Sequence, residues 1–260
     1  MLYPELSSDE RSWIEIIGIA LGGFDDKRIL EIGTDFQARK LQCIASLFQP
    51  KELIGLNPAF PSRKLGSTVR VEQIYAEHSG LEDTSIDGVF SDCAFEHIKD
   101  LPAVLEEMHR VLVPGGLLFS HFGPIWSTSF GHHFWANDDN GNSYNYHNVL
   151  FPPWCHLLMS REEVENILKN HFPAPVASRW ANNIYTSDEQ NQLFFDDYER
   201  IIKASPFEII LFKGYDAPAL KAKYPSAYSP KLLLELKEKY PGRSGFLYDG
   251  ITLLLQKRND

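Results

Sequence analysis

Cysteine is scarce in this chain. Its three cysteines, Cys43, Cys93 and Cys155, stand far apart with no CxxC pair, which excludes a disulfide framework or a zinc knuckle and suits a reducing compartment. Long apolar runs are also lacking, since stretches such as Phe207 to Phe212 and Ile251 to Leu255 fall far short of the roughly 20 residues that span a bilayer. The acidic stretch Met1 to Glu10 has no charged-then-apolar leader, so the chain is expected to be cytoplasmic and to have no membrane partner. Cations are in deficit: 25 Lys and Arg against 35 Asp and Glu give a net charge of −10, with the basic residues scattered. Such a surface repels a phosphate backbone, and nucleic acid is not an expected partner. Repeats and low-complexity tracts are absent, and 260 residues at 43% hydrophobic content can bury a full core as one domain, 1–260.

The pattern that is present alternates short buried strands with amphipathic helices. Trp13, Ile16, Ile17, Ala20 and Leu21 recur at helical spacing before Gly22 and Gly23. Arg28 to Gly33 reads as a strand, and Leu41, Ile44, Ala45 and Phe48 form the stripe of a second helix ended by Pro50. Leu53 to Asn57, Val69 to Tyr75 and Asp87 to Ser91 read as further strands. Asp100 as N-cap and Pro102 in the first turn open a helix carrying Leu105, Met108 and Leu112, which Pro114-Gly115-Gly116 closes before a fifth strand, Leu117 to His121. Beyond Thr186 a helix from about Asp188 to Lys203, a strand Phe207 to Phe212, a helix Ser229 to Lys239 and a strand Ile251 to Lys257 complete the pattern. This is the signature of an α/β fold, a doubly wound, mainly parallel sheet with ligands at the carboxyl ends of its strands.

The run Ser85-Ile86-Asp87-Gly88-Val89-Phe90-Ser91-Asp92, followed by Phe95-Glu96-His97-Ile98 and then by Leu105 to Gly116, resembles the class I S-adenosylmethionine-dependent methyltransferases, in particular their "type 11" domain. The likeness extends over about Arg28 to Gly123. It implies a Rossmann-like sheet, S-adenosylmethionine as cofactor and methyl transfer to a small-molecule acceptor. Position by position, it places cofactor contacts at Glu31, Gly33 and Asp35 after strand one, at Asn57 after strand two, at Ala76 and Glu77 after strand three and at Asp92 after strand four. His97, of the Glu96-His97 pair, is implied to lie beside cofactor and acceptor, or else to pack the strand end.

The chain departs from the family pattern at three of these places. Glu31-Ile32-Gly33-Thr34-Asp35-Phe36-Gln37 keeps the acid and only the first glycine. Side chains at Asp35 and Gln37 narrow the approach to backbone N–H groups, and Asp35 either accepts from the methionine ammonium or N-caps the next helix. Asn57 replaces an acid that accepts from both ribose hydroxyls, and Tyr75 replaces one that reads the adenine amino group. These substitutions leave a second reading open, that of a non-catalytic binding protein on the same fold.

From Phe122 to about Thr186 the alternation gives way to Gly, Asn, Pro, His and aromatics, with one capped helix from Arg161 to Asn170. We read 122–186 as an inserted lid after strand five that binds the acceptor. Trp126, Phe130, Trp154 and His156 are its expected walls, suited to a sugar or an aromatic acceptor. His132 or His133 is the expected base for a hydroxyl or amine, with His97 next, because an imidazole of near-neutral pKa can take the acceptor's proton. His121, His132, His133, His147 and His156 crowd this stretch, but no HxH or HExxH spacing occurs, and no metal site is expected.

Overall fold

In a computed structural model, residues 8–145, 150–186, 189–216, 218, 222 and 228–259 are described. Eight strands form one sheet: β1 (Arg28–Ile32), β2 (Glu52–Leu56), β3 (Arg63–Leu65), β4 (Val69–Glu72), β5 (Ile86–Asp92), β6 (Leu112–Phe122), β9 (Glu208–Tyr215) and β10 (Gly250–Gln256). Their spatial order is β3-β4-β2-β1-β5-β6-β10-β9, parallel from β4 to β6 and antiparallel at β3 and β10.

The two-residue period of the strands divides the core between the faces. Ile29, Leu53, Val71, Phe90 and Phe119 point to one side, where they meet Ile14, Ile17 and Leu21 of and after α1 (Ser8–Ala20) and Leu41 and Ile44 of α2 (Arg39–Leu47). Leu30, Ile54, Val89 and Leu118 point to the other, against Val104, Leu105 and Met108 of α3 (Leu101–Val111) and Tyr198 and Ile202 of a later helix. A sheet buried on both faces reads as short continuous apolar runs, as these strands do. Asp100 caps α3 by accepting from the Ala103 N–H at 3.1 Å, with Pro102 in the first turn.

Residues 123–186 are more regular than their composition suggests. They contain a small hairpin, β7 (Trp135–Asn137) with β8 (Ser143–Asn145), and the helices α4 (Cys155–Leu158), α5 (Arg161–Leu168) and α6 (Ala174–Thr186). Phe134, Phe151, Val164, Leu168, Phe172, Ala177, Ala181 and Ile184 give this segment its own apolar core. Ser160 and Glu163 form the capping box that starts α5.

The helix expected from Asp188 is shorter than its pattern. Residues 189–194 are not helical, and α7 runs Phe195–Ala204. Asn191 accounts for the difference. Its side chain donates to the carbonyls of Phe95 and Ile98 at 2.8 and 3.1 Å and accepts from the Tyr198 hydroxyl at 2.8 Å, while its N–H donates to the Glu96 carbonyl at 2.9 Å. Those bonds draw residues 189–193 across the end of β5 as a strap. The last helix, α8 (Pro230–Lys239), is N-capped by Ser229 and packs Leu236 against Trp154, Phe194 and Phe246. No described helix is long and apolar enough to cross a membrane.

Candidate functional site

The strand order switches sides at β1, the chain passing first to β2 on one side and later to β5 on the other, all parallel, and such a switch point opens a crevice at the strand ends. Here it is a cleft of about 460 Å³, within the roughly 300–1,000 Å³ of small-molecule sites. Its walls come from four connections: Gly33 after β1, Asn57 and Pro58 after β2, Tyr75, Ala76 and Glu77 after β4, and Cys93, Ala94, His97 and Lys99 after β5.

Gly33 is held at φ +84°, and a Cβ there would meet the Ala94 Cβ at 2.5 Å. Only glycine permits the β1 and β5 ends to approach so closely. The N-cap of α2 is Ala38, in the left-handed conformation and without a side-chain bond, and Asp35 instead holds the turn that leads into the helix. Its carboxylate accepts from the Gln37 N–H at 2.7 Å and from the Arg39 N–H at 3.4 Å, and it pairs with the Arg39 side chain at 3.2 Å. Asn57 ties two loops together, donating to the Thr34 carbonyl at 2.9 Å and accepting from the Ala59 N–H at 2.9 Å. It lines the cleft, but its amide is already engaged.

Behind Gly33 lies a charge group that the sequence did not suggest. Lys40, on α2, pairs with Asp92 at 2.9 Å. Glu31 is 3% exposed, and its Oε2 has no hydrogen-bond partner. Burial pushes Glu31 up to about 7, with Lys40 pulling against it and Asp35 and Asp92 adding to the rise. Burial also works against the charge of Lys40, but Glu31 and Asp92 outweigh it and raise its pKa overall. Glu31, Gly33, Asn57, Ala76, Glu77 and Asp92 therefore gather around one end of the sheet, with Gly33, Asn57, Ala76 and Glu77 on the cleft wall itself. The volume of the cleft, with the buried and partly unsatisfied carboxylate of Glu31 behind it, fits a cationic, adenosine-sized ligand.

The histidines separate. His121 stacks on Tyr215 at 4.3 Å and bonds the Thr252 hydroxyl at 2.8 Å. His132 is 5% exposed; its Nδ1 accepts from the Phe134 N–H at 3.0 Å, and burial, then His156 and His133, hold its pKa well below the usual range. His156 is buried and donates from Nε2 to the Trp126 carbonyl at 2.7 Å. His147 lies outside the described residues. His133 stands beside a cleft residue, its ring 5.3 Å from that of His97. Burial, with His97 next, lowers the pKa of His133 to about 3. One donor atom each from Glu96, His97 and His133 lies within 4.8 Å of the others.

The aromatic walls expected from the sequence pack inward instead. Phe130 and Trp154 are fully buried, and Trp154 donates from its indole N–H to the Ser127 carbonyl at 3.1 Å. Trp126 packs on the His156 ring at 4.5 Å. None of the three borders the cleft. Large rings in a Gly- and Pro-rich setting mark a ligand wall or a small core equally well, and here the apolar area is satisfied by packing.

Residues 31–120 match the family model described as a methyltransferase domain. Over 43 residues the chain is 56% identical to malonyl-[acyl-carrier protein] O-methyltransferase 1 of Coxiella burnetii, a match spanning 16% of this chain and only 15% of that curated relative's length. Among solved structures, an S-adenosylmethionine-dependent methyltransferase from Mesorhizobium loti is similar over 96% of this chain and 98% of its own, with a TM-score of 0.54 and 12% identity. Geranyl diphosphate C-methyltransferase from Streptomyces coelicolor, solved with Mg²⁺, geranyl diphosphate and S-adenosyl-L-homocysteine, is similar over 98% of this chain and 85% of its own, with a TM-score of 0.52 and 13% identity. These structural likenesses are likenesses of fold.

Proposed function

We propose that this chain, whose residues 31–120 match a methyltransferase-domain model and whose fold is that of a solved S-adenosylmethionine-dependent methyltransferase, transfers a methyl group from S-adenosylmethionine to an oxygen or nitrogen of a small-molecule acceptor. The observation that carries the reading is the cleft of about 460 Å³ at the switch point, lined by Gly33, Asn57, Ala76 and Glu77 and large enough for the cofactor, with the buried carboxylate of Glu31 behind it. When bound, the cofactor supplies an electrophilic methyl on a sulfonium that is itself the leaving group. The protein's task is then mostly alignment and exclusion of water.

Glu31, with Lys40 and Asp92 behind it, offers negative potential to a cationic ligand. Asn57, Ala76 and Glu77 line the part of the cleft that the family likeness gives to the nucleoside. Residues 122–186 act as the lid, meeting the cleft where His133 faces His97. In the metal-free chain His97 is exposed and lines the cleft, so it is the base best placed to take an acceptor proton, with His133 behind it. Enclosure and a strongly depressed pKa leave His132 a packing role. The acceptor enters from the His97 side, and a sugar or an aromatic ring is accommodated only if the lid shifts, since the gap beside His132 and His133 is about 20 Å³.

The engaged amide of Asn57 and the engaged carboxylate of Asp35 favour one other reading, a binding protein on this fold with no cofactor. Calorimetric titration with S-adenosylmethionine and S-adenosylhomocysteine separates the two. Saturable binding of both supports the enzyme, and no heat or thermal shift at millimolar ligand removes it.

A further inference from the structure

We infer that Glu96, His97 and His133 form a binding site for one divalent transition-metal ion, at the junction of the cleft with the inserted segment. Glu96 and His97 stand in the 3₁₀ turn after β5 (Phe95–His97), and His133 comes from the loop before β7, so the site exists only once the segment has folded against the sheet. Their donor atoms lie within 4.8 Å of one another. Closing to the roughly 2.0–2.2 Å of zinc-nitrogen and zinc-oxygen bonds asks for side-chain adjustments of about an ångström.

Three independent features favour an ion. Glu96 is 2% exposed; one carboxylate oxygen accepts from the Gly123 N–H at 3.1 Å and the other, Oε2, has no hydrogen-bond partner. A buried carboxylate with an unmet acceptor is costly, and a cation meets that need. Both rings are also oriented from behind. Nδ1 of His97 faces the Glu189 carbonyl and Nδ1 of His133 faces the Gly131 carbonyl at 3.2 Å. A carbonyl can only accept, so each Nδ1 carries the proton and the lone pair falls on Nε2, the arrangement that supporting carbonyls impose on metal-ligating histidines. Finally, the donor set is two imidazoles and one carboxylate. This set suits zinc, cobalt, iron(II) or nickel, whereas magnesium and calcium take oxygen-only shells.

Three protein ligands leave coordination positions open, and because His97 lines the cleft those positions face it. An acceptor oxygen could complete the shell there. That role rests on the methyl-transfer reading; binding of the ion does not.

The test is a titration of the chelator-stripped full chain with Co²⁺, followed by visible absorption, with S-adenosylhomocysteine titrated separately into the same preparation. One equivalent should bind with a saturating d–d band. His97→Ala and Glu96→Gln should each weaken binding by about 100-fold or more, while His171→Ala, an exposed ring elsewhere on the segment, should leave it unchanged. His97 is exposed, so its variant carries the test even if Glu96→Gln does not fold. No cobalt binding by the parent chain, or unchanged affinity in His97→Ala, overturns the inference. Homocysteine-derivative binding without cobalt binding defeats this inference alone, and cobalt binding without it defeats the methyl-transfer reading alone.

Discussion

Replacing Glu31 with Gln should make the protein more stable at alkaline pH and less able to bind its cofactor. In the folded chain this carboxyl titrates at about 7 instead of its ordinary 4.5, chiefly because it is buried. Between those two values the folded state holds a proton that the unfolded state has lost, so stability falls as pH rises from 4.5 to 7 and then levels off. At 1.36 kcal/mol per pKa unit the full loss is roughly 3 kcal/mol. Gln has no proton to lose. Glu31→Gln should therefore match the parent near pH 4.5 and exceed it by up to about 3 kcal/mol at pH 8, or roughly 2–4 °C of melting temperature per kcal/mol in a chain of this size.

Binding couples to the same proton. A cation beside Glu31 favours the ionised carboxylate, so S-adenosylmethionine should release protons on binding near pH 6. Calorimetry in buffers of different ionisation heat measures that release, and the variant should show less of it. Melting curves from pH 5 to 8.5 decide the stability argument. A constant offset between variant and parent, or a less stable variant at pH 8, would refute the view that Glu31 is held in an environment that penalises its charge.

Three other substitutions probe the site. Gly33→Ala combines a backbone angle of +84° with a contact of 2.5 Å to Ala94, and should cost about 1–2 kcal/mol from the left-handed conformation alone, with cofactor affinity falling at least tenfold by calorimetry. Asp35→Ala removes the bonds to the Gln37 and Arg39 N–H groups and should cost about 0.5–1.5 kcal/mol in denaturant unfolding while changing affinity for S-adenosylhomocysteine less than threefold; a tenfold loss would instead put Asp35 in contact with the cofactor. Trp154→Ala empties a fully buried site and should cost about 3–5 kcal/mol, with cofactor affinity unaffected at temperatures where the variant is folded.

Much of the sheet is legible in the sequence because β1, β2 and β6 carry short apolar runs next to Gly or Pro. Asp100, Pro102 and the Leu105, Met108 stripe mark α3 by local chemistry alone. The helix end at Val111 is also local, although Pro114-Gly115-Gly116 falls within β6, after its first residues, with a register shift against β5. What the sequence hides is of two kinds. Elements of three residues, such as β3, β7 and β8, are too short to show a period. Helix α6 does carry a stripe, Ala177, Ala181 and Ile184, but Asn and Ser between its members disguise it.

The site divides in the same way. Gly33, Asn57, Ala76 and Glu77 follow from strand ends and are found lining the cleft. Lys40 against Asp92, and His133 against His97, join residues from separate elements, so no spacing rule reveals either pair. Trp154 misled by composition: an aromatic among prolines and glycines suggested a wall, while the packing of Leu157, Phe194, Leu236 and Phe246 around it makes it core.

The central claim is that the cleft at the strand ends is where the cofactor binds, and hydrogen–deuterium exchange with and without S-adenosylhomocysteine tests it most directly. Saturating ligand should slow exchange in peptides covering 31–35, 56–59, 74–78 and 92–99, the four connections that line or back the cleft, and leave the α8 peptide unchanged. Protection confined to other segments, or none at concentrations where binding is saturated, would contradict the account.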